Sequence, residues 1–238
     1  AEQQAQPTQA PAQPAAEGGE GAARQLGAAD EAHRARVDRR AVAVGLEMEV
    51  RPGRAAGVAD LETGERLRPD HRFRIGSVTK IFVATVVLQL VDVGALALDG
   101  DAGPIADGVT IRQLLNHTSG FQDFYGDFVA LFEPYRRNPA YRWELGPHEL
   151  LTLVKDKPPL FPPGKGWSYS NSNYLMLGLI VEETTGATLR DELRRRIVEP
   201  LGLDDTDLPD GPPLGTAVAR GYLAPDNPRL PGPDSVDV

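Results

Sequence analysis

A chain of 238 residues, 41% apolar and 25% charged, holds enough apolar material for one globular domain plus extensions. The net charge of −9 argues against nucleic acid and anionic membrane as partners. The lack of cysteine excludes disulfides, thiol nucleophiles and thiolate metal sites, and leaves the redox compartment open. No His/Asp/Glu group has ligand spacing, so neither a metal nor an organic cofactor is expected.

Residues 1–28 are Ala, Gln, Pro, Gly and Glu with almost no large apolar residue. Such a stretch cannot bury enough surface to offset chain entropy, so a disordered tail is expected before a domain over 29–238. The first residue is Ala1 rather than Met. A removed leader and such a tail suit an exported protein of the cell envelope or exterior, with a plain linker as the alternative. The longest uncharged apolar run, Ile81 to Val91, is shorter than the roughly 20 residues a bilayer-spanning helix needs.

Residues 29–40 predict a surface helix. Ala41 to Val50 reads as a strand, Arg51-Pro52-Gly53-Arg54 as a turn and Ala55 to Leu61 as a weaker strand closed by Glu62-Thr63-Gly64-Glu65. Together they predict a hairpin. Leu67 to Arg74 is an irregular approach to Ser77.

Arg74-Ile75-Gly76-Ser77-Val78-Thr79-Lys80 and the apolar run behind it organise the chain. If Ser77 opens a helix, Lys80 lies on the same face at i+3. The helix dipole is positive there, where an oxyanion is also favoured. Ile81, Phe82, Val83, Val86, Val87, Leu88, Leu90 and Val91 make the helix apolar nearly all round, which predicts full burial. Desolvation disfavours the charged form of a lysine in such a helix, and the amine can then act as a base towards the serine. The alternatives are a Ser77 that only caps the helix and a Lys80 that snorkels to solvent.

Val109 to Asn116 predicts a short helix capped at Thr110. His117 follows it, and a histidine bonded to nearby backbone at the helix end is favoured over a catalytic one. Phe121 to Trp143 is dense in aromatics and either lines a cleft or covers core. Pro147 to Lys155 predicts a helix and Pro158 to Gly166 a rigid loop. That loop delivers Trp167-Ser168-Tyr169-Ser170-Asn171, and the helix is expected to run from Leu175 to Thr185. Tyr169 and Asn171, two apart in an extended turn, can point to one spot. The alternative is a cluster of helix caps. Leu189 to Ile197 predicts an arginine-rich helix, and Thr216 to Leu223 a short strand in an otherwise Pro- and Gly-rich end.

Ser77-Val78-Thr79-Lys80 with Tyr169-Ser170-Asn171 downstream resembles the serine penicillin-recognising enzymes. These comprise D-alanyl-D-alanine carboxypeptidases of the Streptomyces type, class C β-lactamases and related esterases. The flanks resemble them too: Phe73-Arg74-Ile75-Gly76, Leu114-Leu115-Asn116-His117-Thr118-Ser119-Gly120, Pro163-Gly164, and Gly221-Tyr222-Leu223 with Pro225-Asp226. The likeness runs from about Val42 to Asp226.

The resemblance implies an α+β fold, a helical domain plus an antiparallel sheet. It implies Ser77 as the acylated nucleophile and Lys80 as the group that holds Ser77 or Tyr169 in a basic state. Tyr169 would shuttle the proton to the leaving nitrogen, and Asn171 would hold the substrate amide and the lysine. A phenol takes a serine proton near neutral pH only beside a cation, and Lys80 is the cation at hand. The family's third element, Lys- or His-Thr-Gly on a sheet-edge strand, is not found after Tyr169. The chain is therefore expected to be the first part of such an enzyme, without the C-terminal strands. The function expected is a D-alanyl-D-alanine carboxypeptidase acting on cell-wall peptides. A β-lactamase, an esterase or a non-catalytic binding remnant are the alternatives. A small peptide or β-lactam is the expected partner, and the oligomeric state is open.

Overall fold

The computed structural model describes residues 55–127, 145–209 and 218–220. The expected tail, the 29–40 helix, the 41–50 strand, residues 128–143 of the aromatic stretch and the motif at 221–226 lie outside the described residues. Those described form helices joined by turns, with isolated β-bridges in place of an extended sheet. None of these helices is long and apolar enough to cross a membrane.

A 3₁₀ turn at Gly76–Val78 leads into α1, Thr79–Asp92. The next helices are α2, Ile111–Leu115, and α3, Pro147–Thr152. Helix α4 is Asn171–Thr185. Helix α5, Leu189–Leu193, passes through a π-helical turn, Arg194–Val198, into α6, Glu199–Leu201.

Helix α4 is the hub. It packs on α1, α2, α3 and α5 and on the 3₁₀ turns Pro104–Ala106 and Phe124–Asp127. Its Met176, Leu177, Ile180 and Val181 join Val83, Val86, Val87 and Leu90 of α1 and Ile111 and Leu114 of α2 in one apolar core. Fully burying one such side chain contributes roughly 1.5–3 kcal/mol.

The start of α4 is tied down by buried polar groups. Ser172 Oγ donates to Gln122 O at 2.8 Å and accepts from Phe124 N at 3.0 Å. Ser119 Oγ donates to Asn173 Oδ1 at 2.8 Å, and Asn173 Nδ2 donates to Leu114 O at 3.2 Å. Ser119, Ser172 and Asn173 are buried. Removing any one of them from water is offset only because each is bonded. Gly120 fits this junction because it has no side chain: a Cβ there would lie 2.2 Å from Phe161 O, and its φ is +85°.

Several expectations change. Helix α4 begins at Asn171, not Leu175, because a distant carboxylate supplies the acceptor for its first amide: Asn171 N donates to Asp123 Oδ1 at 3.2 Å. Helix α1 is not buried all round. It packs through Val83, Val86, Val87 and Leu90, while Ile81 and Leu88 are 67% and 49% exposed. Residues 67–74 are irregular as expected apart from a bridge at Arg72, whereas the expected strand at 55–61 is reduced to a single bridge residue, Val58. Arg66 pairs back on Val58 in an antiparallel bridge, after a turn in which Asp60 Oδ1 accepts from the amides of Glu62 and Thr63. Val218, in the expected 216–223 strand, bridges in parallel to Arg72. Arg220 N then donates to Ala59 O at 2.9 Å, fastening that turn to the segment before Ser77. Helix α2 matches its prediction: Thr110 Oγ1 accepts from Gln113 N, and Gln113 Oε1 accepts from Thr110 N, a capping box. Helix α3 is shorter than predicted, ending at Thr152.

Leu177 is completely buried at the centre of α4, where it belongs to the shared core. Leu177→Ala is expected to lower the stability by about 2–5 kcal/mol. Denaturant unfolding checks this as a lower midpoint at unchanged slope.

Candidate active site

Gly76, at φ +51°, turns the chain in a conformation that side chains disfavour and starts the 3₁₀ turn that carries Ser77. Ser77 stands exposed just ahead of α1. It is not a helix cap: the residue before α1 is Val78, and neither turn has a side-chain cap. Its hydroxyl is engaged by the turn before α4 instead. Tyr169 OH donates to Ser77 Oγ at 2.8 Å.

Lys80, in the first turn of α1, is half-buried and does not snorkel away. Its Nζ donates to Asn171 Oδ1 at 2.6 Å and lies 3.3 Å from Ser77 Oγ. The same amine sits 4.9 Å from the Tyr169 ring centre and 5.5 Å from that of Tyr174, both cation–π distances. So the four residues singled out from the sequence, Ser77, Lys80, Tyr169 and Asn171, meet at one place. Ser170 between the last two is extended, φ −141° and ψ 121°, which turns Tyr169 and Asn171 to the same side.

Three further residues complete the site; sequence reasoning passed over the roles of Asp123 and Tyr174 and gave His117 only a bond to nearby backbone. Asp123 accepts from Asn171 twice, Oδ1 from the backbone amide at 3.2 Å and Oδ2 from Nδ2 at 2.9 Å. Tyr174, one turn into α4, lies under the amine and donates its hydroxyl to Leu115 O at 3.1 Å. Burial pushes the Tyr174 phenol above its ordinary value, with Tyr169 adding to the effect. The third is His117, which holds φ 64° in the left-handed region. Its ring lies 4.5 Å from that of Tyr169 and meets Trp167 edge-on at 6.2 Å. Its Nδ1 accepts from Ser170 N at 3.2 Å, and its carbonyl accepts from Ser168 N at 3.0 Å.

His117 therefore bonds nearby backbone, as the sequence suggests, but the backbone belongs to the Tyr169 turn and not to its own helix. Burial first, and the charge of Lys80 second, lower its affinity for a proton, while Asp123 pulls the other way. A neutral ring is also what the Ser170 bond demands, since Nδ1 must be bare to accept. The signal for Asp123 and His117 was their place around Thr118-Ser119-Gly120. Their partners are dozens of residues away, 48 from Asp123 to Asn171 and 53 from His117 to Ser170.

The family described as Beta-lactamase matches residues 26–237. Esterase EstB of Burkholderia gladioli is 35% identical over 193 residues, which cover 74% of this chain and 48% of that protein. Penicillin-binding protein 4 of Amycolatopsis lactamdurans is 36% identical over 180 residues, 71% of this chain and 44% of that one. Among solved structures, the D-amino acid amidase of Ochrobactrum anthropi SV3 complexed with L-phenylalanine superposes with a TM-score of 0.64 at 29% identity. That overlap covers 76% of this chain and 53% of the amidase. The chain thus spans about half the length of the relatives it matches. The helices around α4 are arranged as in the β-lactamase/DD-peptidase-like fold. On a match of this breadth, the chain belongs to the Beta-lactamase family, within the serine penicillin-recognising superfamily.

Proposed function

We propose that the protein is a serine hydrolase that acylates on Ser77 and passes the acyl group to water, with D-alanyl-D-alanine cell-wall peptides as its substrate class. The observation that carries this reading is the convergence of two groups on one oxygen. Tyr169 OH is 2.8 Å and Lys80 Nζ 3.3 Å from Ser77 Oγ. A hydroxyl becomes a useful nucleophile when a neighbouring base takes its proton. As Oγ bonds to the substrate carbonyl carbon, its proton passes to the Tyr169–Lys80 pair. Tyr169 then gives a proton to the leaving nitrogen as the bond to carbon breaks, and the Lys80 ammonium restores the phenol. Water repeats the cycle on the acyl-enzyme: its oxygen bonds to carbon, its proton goes to the same pair, and Oγ leaves as a hydroxyl. The positive end of α1 beside Ser77 favours the charge that gathers on the carbonyl oxygen.

The peptide reading draws support from a relative named penicillin-binding protein 4. An ester reading is favoured by the relative named esterase EstB and by the apolar Trp167, 66% exposed beside His117. A cell-wall substrate would place the protein in the envelope or outside the cell.

Fluorescent penicillin is expected to label the native protein, and Ser77→Ala to abolish the label. Tyr169→Phe should slow acylation by about 10²–10⁴-fold. A label that persists in Ser77→Ala overturns the reading. A long-lived adduct supports a peptidase and rapid release a β-lactamase. Turnover of p-nitrophenyl acetate without a penicillin adduct supports the esterase.

The His117 ring gives the site a pH limit. Its proton affinity in the folded state is depressed from the ordinary 6.5, so the unfolded chain binds the proton more readily. The stability from the neutral ring is full above 6.5 and is lost as pH falls from there towards the folded-state value. His117→Asn keeps an acceptor for Ser170 N and a residue type that tolerates positive φ. The melting temperature of the native protein should fall more steeply below pH 6.5 than that of this variant, a comparison open to thermal scans in matched buffers.

A further inference from the structure

Building on the acyl-transfer reading above, we propose that Asp123 is a positioning residue for the acylation step. By fixing which end of the Asn171 carboxamide faces Lys80, it reserves the amine's lone pair for Ser77 Oγ.

A carboxamide has a donor end and an acceptor end of nearly equal size, so only its partners decide which way it points. Asn171 lies between two one-sided partners. Asp123, as a carboxylate, only accepts, and its Oδ2 takes Asn171 Nδ2 at 2.9 Å. Lys80 Nζ donates to Asn171 Oδ1 at 2.6 Å. The carboxylate cannot easily swing aside. Its Oδ1 also accepts from Asn171 N at 3.2 Å and from Tyr125 N at 3.1 Å.

The orientation matters most when Lys80 is unprotonated. The amine then has two N–H bonds and one lone pair. With Oδ1 facing it, one N–H is committed to Asn171, and the lone pair is left for Ser77 Oγ, 3.3 Å away. With the carboxamide reversed, Nδ2 would donate into that lone pair and occupy the base. In the native arrangement the Ser77 O–H bond breaks as the Oγ–carbon bond forms. The proton goes to Nζ, and the amine becomes an ammonium. Asn171 is thereby assigned first to the lysine, since both ends of its side chain are engaged within the protein, and one Nδ2 proton is left for substrate.

The test is a double-mutant cycle read by the rate of Ser77 acylation with fluorescent penicillin and with p-nitrophenyl acetate. Rates are referred to the folded fraction from thermal unfolding. Asp123→Asn keeps the shape but can donate to Oδ1 as readily as it accepts from Nδ2, so the orientation is no longer imposed. It is expected to slow acylation by about tenfold or more. In an Asn171→Ala background, where no carboxamide remains to orient, the same substitution should change the rate less than about twofold. If Asp123 merely capped α4, it would lose as much in both backgrounds, because the amide of residue 171 survives in each. Equal losses, or no loss in the native background, overturn the proposal. Asp123→Glu, acceptor-only like the native residue, should acylate faster than Asp123→Asn, and the reverse order overturns it. Absence of any Ser77 adduct in the native protein overturns the acyl-transfer reading itself. A labelled native protein whose Asp123→Asn variant acylates normally overturns the Asp123 role alone.

Discussion

Two helix N-termini meet, and the bond from Lys80 to Asn171 joins them at 2.6 Å. Lys80 is in the first turn of α1 and Asn171 is the first residue of α4. Each helix start carries a partial positive charge, and Lys80 adds a mobile one. Such a meeting is favourable only with acceptors between the parts. Ser77 Oγ, Asn171 Oδ1 and the two oxygens of Asp123 are those acceptors. What results is a surface that favours negative charge, as the proposed acyl transfer would require.

The core serves this junction. Helix α4 has apolar residues facing α1 and α2, but its first turn has serine and asparagine where a core helix would ordinarily have leucine. Those polar groups stitch the 119–124 segment to α4, and with it come Asp123 and the backbone of Gln122. A fully bonded buried network specifies one arrangement, where an apolar patch would tolerate several. Further along, buried Glu192 is paired with Arg195 and Arg196 around the π-helical turn, which keeps the far end of the bundle charge-compensated.

What could be read from the sequence was local or carried by motif. Ser77 and Lys80 are three apart, and helical spacing alone brings them together. Tyr169 and Asn171 are two apart in an extended turn, and Thr110 with Gln113 caps α2 within one turn. What could not be read was non-local. The start of α4 was placed four residues late because its cap, Asp123, is 48 residues away. The sequence points to a backbone partner for His117 at the helix end, but not to which one; the fold supplies Ser170, 53 residues on. Uniform hydrophobicity along α1 suggested burial on every side, yet composition does not say which side the neighbours occupy, and Ile81 and Leu88 remain in solvent.

The stitching of α4 also bears on how the molecule acquires its chemistry. Lys80–Asn171, Tyr169–Ser77 and Asp123–Asn171 span 91, 92 and 48 positions of chain. Contacts this distant along the polypeptide close late, after local helices have formed and the loop entropy has been overcome. Until α4 docks, Ser77 lacks Tyr169 and Lys80 lacks Asn171. On the proposed acyl-transfer reading, a nucleophilic Ser77 would therefore require the finished tertiary structure, because its partners arrive only when α4 docks.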